Sequence, residues 1–410
     1  MAFNYFEPIS THSRININYN VSLNHQNNQV VTNLNLVPSG TIKIDSLSQS
    51  FTTSLLAQSA GINLQHIYKK VNILYGVNFQ KSELSENYIG QVPINNNTTN
   101  FFPSLSLHYA QSPNSDYGFN YSGNSTAPTS EQLQTVKNVG NLQAIIIGNP
   151  DLKPSFNHSL KFSYRHTGLE TGQILFLNAS GGVIQNQIIN TSILVKDTLK
   201  SLKQINSYIN VNGSYNLNAD YNWSLPFKLY NKPFKISLNG SINYNYGLVY
   251  TDSIKSHDIN KFYTQTVHLS SFIKIFSFDA ALQYQKNFNL YSTGNGLATS
   301  FQIWNFTSRC SVRISNNLNF NTDINKRINQ GYNNIGTDNP FIMNAALELM
   351  LFKKRNINIQ LQAFDIFKEA NSVNQLVTGN TVTNTQYNYV SRYLIVSFSV
   401  PIQKFGKADK

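Results

Sequence analysis

Four charged side chains, Arg309, Arg313, Asp323 and Glu348, are the residues of this chain best placed to act on a solute. Arg309 and Arg313 have the opposite parity to Trp304, Phe306, Ser308, Cys310, Val312 and Ile314, and Glu348 sits between Leu347 and Leu349. Guanidinium and carboxylate groups on one polar wall either pair with each other or form a constriction that selects among passing solutes. Neither role is catalysis. The chain has no GxSxG elbow, no P-loop, no GxGxxG after a strand and no paired carboxylates in one short segment, so an enzyme is not expected. Its 8 His are dispersed without HExxH-type spacing. Its single cysteine, Cys310, excludes an internal disulfide and a cysteine-based zinc site, so no metal or cofactor is expected.

The elements that hold these residues are strands. From Phe234 to Tyr250, Phe234, Ile236, Leu238, Ile242, Tyr244, Tyr246, Leu248 and Tyr250 share one parity, while Lys235, Ser237, Asn239, Ser241, Asn243 and Asn245 hold the other. Period two places the two sets on opposite faces. Strands of soluble proteins last about 5–6 residues, whereas a tilted strand needs about 9–11 to cross a bilayer. The pattern recurs in Ile15 to Leu23, Phe156 to Tyr164, Ile205 to Leu217 and Ile357 to Leu361. Strands can span lipid only as a closed barrel, with the apolar set outward and the Asn, Ser and Gln set toward a wet lumen.

Composition agrees. Only 12% of the 410 residues are charged, so polarity comes mainly from neutral amides and hydroxyls, and 23 Tyr and 26 Phe suit interfacial girdles. The net charge of +12 comes from scattered Lys and Arg that form no stripe or basic helix, which argues against a nucleic-acid partner. No stretch is long and apolar enough for a transmembrane helix. The start, MAFNYFEPISTHSRI, lacks the basic and apolar regions of a signal peptide. A chain bound for the outer membrane normally needs one, so either the signal has been removed or, as expected here, the chain is the C-terminal part of a longer protein.

Alternation places about 16 strands, near 14–25, 51–66, 71–82, 102–111, 117–122, 156–166, 173–186, 204–217, 233–250, 262–273, 278–290, 302–315, 318–328, 341–352, 356–366 and 389–402. Long connections (26–50, 83–101, 123–155, 187–203, 251–261, 291–301, 329–340, 367–388) alternate with short ones (67–70, 112–116, 167–172, 274–277, 316–317, 353–355), with 218–232 intermediate. Outer-membrane barrels alternate short periplasmic turns with long outer loops in this way, which would put both chain ends in the periplasm; a β-sandwich or propeller would not. Segment 123–155 is expected to be the longest outer loop, folded so that Ala144, Ile145, Ile146 and Ile147 are covered. Gly181 and Gly182 are expected to break their strand as a bulge or to mark a close backbone approach. A loop over 315–317 sets Ile314 against Leu318, Val312 against Phe320 and Arg309 against Asp323; a register two residues over would set Arg309 against Asn325.

Two stretches carry a resemblance. FPSLSLHYAQ at 102–111 leads to Thr126-Ala127-Pro128-Thr129-Ser130-Glu131-Gln132-Leu133 and then to Gly148-Asn149-Pro150-Asp151-Leu152-Lys153-Pro154. The close runs through Phe364-Asp365-Ile366-Phe367 to Arg392-Tyr393-Leu394-Ile395-Val396-Ser397-Phe398-Ser399-Val400. From about Ser46 onward the chain resembles the Bacteroidetes-type outer-membrane β-barrel family related to TonB-dependent receptors. Receptors of that kind resemble barrels of roughly 22 strands with an N-terminal plug. Here neither a plug nor a TonB-contacting segment is found, and Pro401-Ile402 stands where the family ends in an aromatic. The GNPDLKP element reads physically as a turn, because each proline holds the preceding residue extended.

The expected architecture is therefore an all-β, antiparallel transmembrane barrel of about 16 strands over 1–410, part of a larger barrel. It would be integral to the outer membrane of a Gram-negative bacterium and serve solute uptake or passage. A stand-alone porin-like channel and a surface-binding or adhesive barrel are the alternatives. The partners expected are outer-membrane lipid, the barrel assembly machinery, and a TonB-type energiser or surface lipoprotein reached through the N-terminal region that the resemblance implies.

Overall fold

Hydrogen-bonded ladders, not a packed interior, organise this chain. The computed structural model describes residues 1–410 except 32, 37–39, 45–47, 89–92, 135–143, 197–201, 253, 293–296, 332–338, 352–356, 379–380, 389–391 and 401–410. The chain begins with β1 (Ala2–Ser10), β2 (Ser13–Val30), β3 (Asn33–Leu36), β4 (Gly40–Lys43), β5 (Gln49–Tyr68), β6 (Val71–Tyr88), β7 (Ile94–Ser112) and β8 (Ser115–Thr126). A single-turn helix, α1 (Ser130–Leu133), precedes β9 (Ala144–Ile146), β10 (Ser155–Thr167), β11 (Ile174–Gln185), β12 (Gln187–Lys196), β13 (Leu202–Val211), β14 (Ser214–Leu229), β15 (Lys232–Thr251) and β16 (Ile254–Phe272). The remainder is β17 (Phe276–Tyr291), β18 (Leu297–Arg313), β19 (Leu318–Gln330), β20 (Phe341–Leu351), β21 (Ile357–Phe364), β22 (Asn371–Thr378), β23 (Thr381–Asn388) and β24 (Tyr393–Ser399).

Seventeen of these strands form one meander in the order β1, β2, β5, β6, β7, β8, β10, β11, β14 to β21 and β24, each antiparallel to the next. Among the described residues β1 and β24 are its two edges. The pairs β3 with β4 and β22 with β23 are separate two-stranded sheets. The strand beyond the expected number is β1, whose ladder shifts between Pro8 and Ser10 because proline has no N–H to contribute.

The strands also run further than their apolar pattern. Both β5 and β15 have 20 residues, about twice what a membrane crossing needs. As a correction, among the described residues the stretches expected as connections at 83–101, 187–203, 218–232, 251–261 and 367–388 are largely strand, as are the ends of 26–50 and 291–301, and the single strand expected over 204–217 is two, β13 and β14. Backbone ladders do not require an apolar face, so an Asn-rich strand continues into water without any change of periodicity. The 218–232 link shrinks to Tyr230 and Asn231, both at positive φ (49° and 60°), a tight hairpin turn whose twist suits its two strands. Gly181 and Gly182 do not break their strand either: they pair in register with Leu160 and Ser159 on one side and with Leu217 and Asn216 on the other. The turn expected at 353–355, most of 329–340 and the Pro401-Ile402 terminus lie outside the described residues.

Most pairings keep apolar opposite apolar. Leu238, for example, lies against Trp223 and Val267, and Asn239 against Asn222 and Thr266. Large apolar side chains stay uncovered, with Ile242 54% and Leu23 72% exposed, which no soluble core would allow.

Part of what is buried, including Leu133, Leu152 and Val211, lies in a second layer at one end of the sheet. β11 continues into β12 through Asn186 (φ 50°), and β13 into β14 through Gly213 (φ 114°), so β12 and β13 extend the wall as a hairpin. The 123–155 segment docks on this hairpin: β9 pairs in parallel with β13, Ile145 against Ile205, and Ile147 N donates to Asn206 O at 2.9 Å. The expected covering of Ala144 to Ile147 is thus met by strand addition, which leaves the run half-buried.

The two faces make a quantitative prediction. Leu238→Arg puts a cation on the apolar face near mid-strand and should destabilise the folded protein in lipid vesicles by about 2–4 kcal/mol, read from its urea unfolding midpoint. Asn239→Arg, one residue along on the polar face, should change stability by less than about 1 kcal/mol. Equal losses would show the face assignment to be wrong.

Candidate functional site

The polar face of the meander is built row by row, and its rows decide what it can contact. One row runs through Asn216, Asn245, Asn260 and Asn289 to Thr299 across five strands, β14 to β18. Asn260 Nδ2 donates to Asn289 Oδ1, and Asn289 Nδ2 to Thr299 Oγ1 at 3.5 Å. Elsewhere Asn222 donates to Asn239, and Asn178 Nδ2 to Asp220 Oδ2 at 2.8 Å. Amides carry both donor and acceptor, so such a wall presents hydrogen bonds of either sense without net charge.

Charge is gathered closer to the short turns. The row Lys235, Ser270, Asp279, Arg309, Asp323, Asn344 crosses β15 to β20. Arg309 is therefore opposite Asp279 on one side and Asp323 on the other, in the register read from the 315–317 loop, with Ile314 N donating to Leu318 O at 2.9 Å. Each carboxylate turns to another partner: Asp279 Oδ1 is 2.8 Å from His268 Nε2, and Asp323 Oδ2 accepts from Asn344 Nδ2 at 2.6 Å. Arg313 and Glu348 share the row two further on, separated by Asn319, and Glu348 Oε1 accepts from Asn358 Nδ2 at 2.6 Å. A second cluster lies across β7, β8 and β10, where Asp116 binds Arg165 Nε at 2.7 Å and faces His108 Nε2 at 3.5 Å.

Above Arg309 the wall hollows into a cavity of about 670 Å³ lined by Gln283, Gln285, Asn305, Asp323, Asn325 and Arg327 among others. Asn305 Oδ1 is buried there without a protein partner. Phe364 and Tyr393, stacked at 4.7 Å, form part of its rim. Asp365, also in the lining, is 4% exposed and occupied structurally, accepting Glu369 N and Ala370 N at 2.9 Å each. Among the described residues no three His, Cys, Asp or Glu side chains are grouped to hold a metal ion. The cavity offers hydrogen bonds from its amides and charged groups beside apolar walls from Ile303, Ile342 and Phe364, and its size is in the usual ligand-site range of about 300–1,000 Å³. Asp279, His268 and Arg327 were not among the residues singled out from the sequence, although all three share the parity that marks the polar face.

The GNPDLKP element is built into the framework. Asn149 N donates to Gln132 O at 2.6 Å and its Nδ2 to Tyr208 O at 2.9 Å, while Lys153 N donates to Asn210 Oδ1 at 2.7 Å. A Cβ at Gly148 would lie 2.3 Å from Gln134 O, so only glycine fits. Asp151 is exposed, Asp151 N donates to Asn149 Oδ1 at 3.0 Å, and Leu152 is 3% exposed. Pro150 and Pro154 flank this clasp. Beside it the Tyr208 hydroxyl is raised above the ordinary tyrosine range, first by burial and then by the charge of Glu131.

Residues 1–297 match the model of the outer membrane protein beta-barrel family, and the chain belongs to that family. No curated protein matches it. The protein is accordingly integral to the outer membrane, its apolar face toward lipid and its polar face toward the lumen. In a Cys310→Ser background, Arg309→Cys should react with a membrane-impermeant maleimide and Ser308→Cys, its outward neighbour, should not. Comparable labelling of both would show that the row does not face water.

Proposed function

We propose that this barrel serves the passage or energised uptake of uncharged polar solutes, as the barrel portion of a larger TonB-dependent-receptor-like protein of the Bacteroidetes type. The observation that carries the reading is the lumenal face itself: rows of Asn, Gln, Ser and Thr across successive strands, with charge concentrated near the short turns and a cavity of about 670 Å³ between. A wall of neutral amides replaces a solute's hydration shell with little desolvation cost, whereas a charged wall would favour ions.

Strand parity supports the larger barrel. Among the described residues, seventeen successively antiparallel strands leave β1 and β24 running in the same direction, so closing one on the other would need a parallel seam. Bacterial single-chain barrels have even strand numbers, and an unpaired edge in lipid leaves a column of unsatisfied peptide groups. An odd number of further strands restores an all-antiparallel closure, which is consistent with a barrel of roughly 22. The reading includes no catalytic step and no cofactor.

A surface-binding role is the second reading, favoured by the docked layer of α1, β9, β12 and β13. Flux separates the two. With the full-length protein in proteoliposomes, supplied with its energiser where needed, neutral oligosaccharides should pass faster than anions or cations of equal size. No flux under either condition, together with ligand binding that disappears when 127–154 is deleted, would replace the first reading with the second.

A further inference from the structure

The outward face carries one concave site that neither solute passage nor barrel closure explains. It is a groove of about 620 Å³ whose lining is almost wholly apolar. Two adjacent rows of the sheet form it. One runs Tyr244, Leu217, Gly181, Leu160 and the other Ile242, Ala219, Ala179, Phe162, Phe119. Ala219, Ala179 and Gly181 make the floor, and the aromatic and branched side chains make the walls. At Gly181 the Leu217 side chain already stands 3.0 Å from where a Cβ would be, so a larger residue would narrow the groove.

The same two rows, followed the other way, reach two lysines. Tyr244 is paired with Lys261, and Ile242 with Tyr263, which is paired with Lys286. Both lysines are exposed. Lys261 Nζ lies 5.4 Å from the Tyr244 ring centroid and 5.6 Å from that of Phe288. Among the described residues neither lysine forms an ion pair and no carboxylate shares the outward face of β14 to β18.

Height in the membrane orders the parts. Lys286 stands ten residues from the short-turn end of its strand at Phe276, and Lys261 eleven from Phe272. A tilted strand crosses the bilayer in about 9–11 residues, so both ammonium groups sit at the outer headgroup boundary. Tyr244 is twelve residues from Lys232, but Phe119 is only four from Ser115. The groove therefore descends obliquely from the boundary beside the lysines toward the middle of the bilayer at Phe119.

We propose that this is a binding site for a phosphate-bearing lipid of the outer leaflet, of the lipopolysaccharide class, with the headgroup phosphate at Lys261 and Lys286 and one acyl chain lying in the groove. Cations without a counter-ion fit the phosphate, and the apolar lining fits the chain. A protein partner would find charge at one end only, with nothing polar along the groove to fix its register.

The test uses the full chain in phosphatidylcholine nanodiscs containing lipid A, with retained lipid counted by native mass spectrometry. Wild type should keep lipid A through exchange into detergent. Lys261→Gln with Lys286→Gln should weaken retention about thirtyfold, roughly fivefold for each charge. Ala179→Phe, which fills the floor on an exposed outward position, should weaken it with both lysines intact. Lys81→Gln, at the same boundary elsewhere on the barrel, should leave it unchanged. Retention unaffected by both groove and lysine variants, or lowered equally by Lys81→Gln, would overturn the site in favour of nonspecific charge. A folded Ala179→Phe barrel that keeps lipid A but loses binding to a protein would assign the groove to that protein instead.

Discussion

A peptide group inside a bilayer has no water to bond with, and almost every feature of this protein follows from that. The only partners within reach are the peptide groups of the neighbouring strand, so the chain pairs strand by strand through its whole meander. Once the ladder is fixed, the side-chain sense is fixed too. A slip of one residue between β14 and β15 would send Leu238 into the lumen and Asn239 into lipid, along with every other pair in that ladder. The register is therefore held by solvation on both faces at once, and no conventional core is needed.

The cost of a charge depends on which face carries it. On the wet face an ion pair such as Asp116 with Arg165 contributes about 0–1 kcal/mol, because water screens it and competes for both groups. On the lipid face an unpaired cation at mid-bilayer costs about 2–4 kcal/mol. That imbalance accounts for the placement of Arg309, Asp279 and Asp323 on lumenal parity, and of Lys261 and Lys286 only where the outward face meets the headgroups. Charges inside are thus free to be arranged for solutes, whereas charges outside mark the thickness of the membrane.

The membrane-crossing part of the fold was legible because two solvents write a period of two into it. Phe234 to Tyr250 identifies one of the two longest strands, and the three-residue loop after Ile314 sets the Arg309 to Asp323 register. Legibility failed where both faces are wet. Beyond the headgroups the polar ends of β2, β6 and β7 keep their ladders without an apolar set to announce them, so alternation alone reads them as loops. The parallel pairing of Ala144 with Gln204 joins residues sixty positions apart and leaves no local signal. Gly181 looked like a break because glycine often is one, but here its missing side chain shapes a surface while its backbone pairs normally.

The meander of hairpins also bears on how such a protein can change over generations. Each strand bonds only to its neighbours in the wall, and a hairpin such as β16 with β17 enters and leaves that wall on the same side. Duplicating or deleting one hairpin would preserve the direction of every other strand and the facing of every other side chain. Barrel circumference can therefore evolve in steps of two strands, by a single in-frame event, without the sequence having to be rewritten around it.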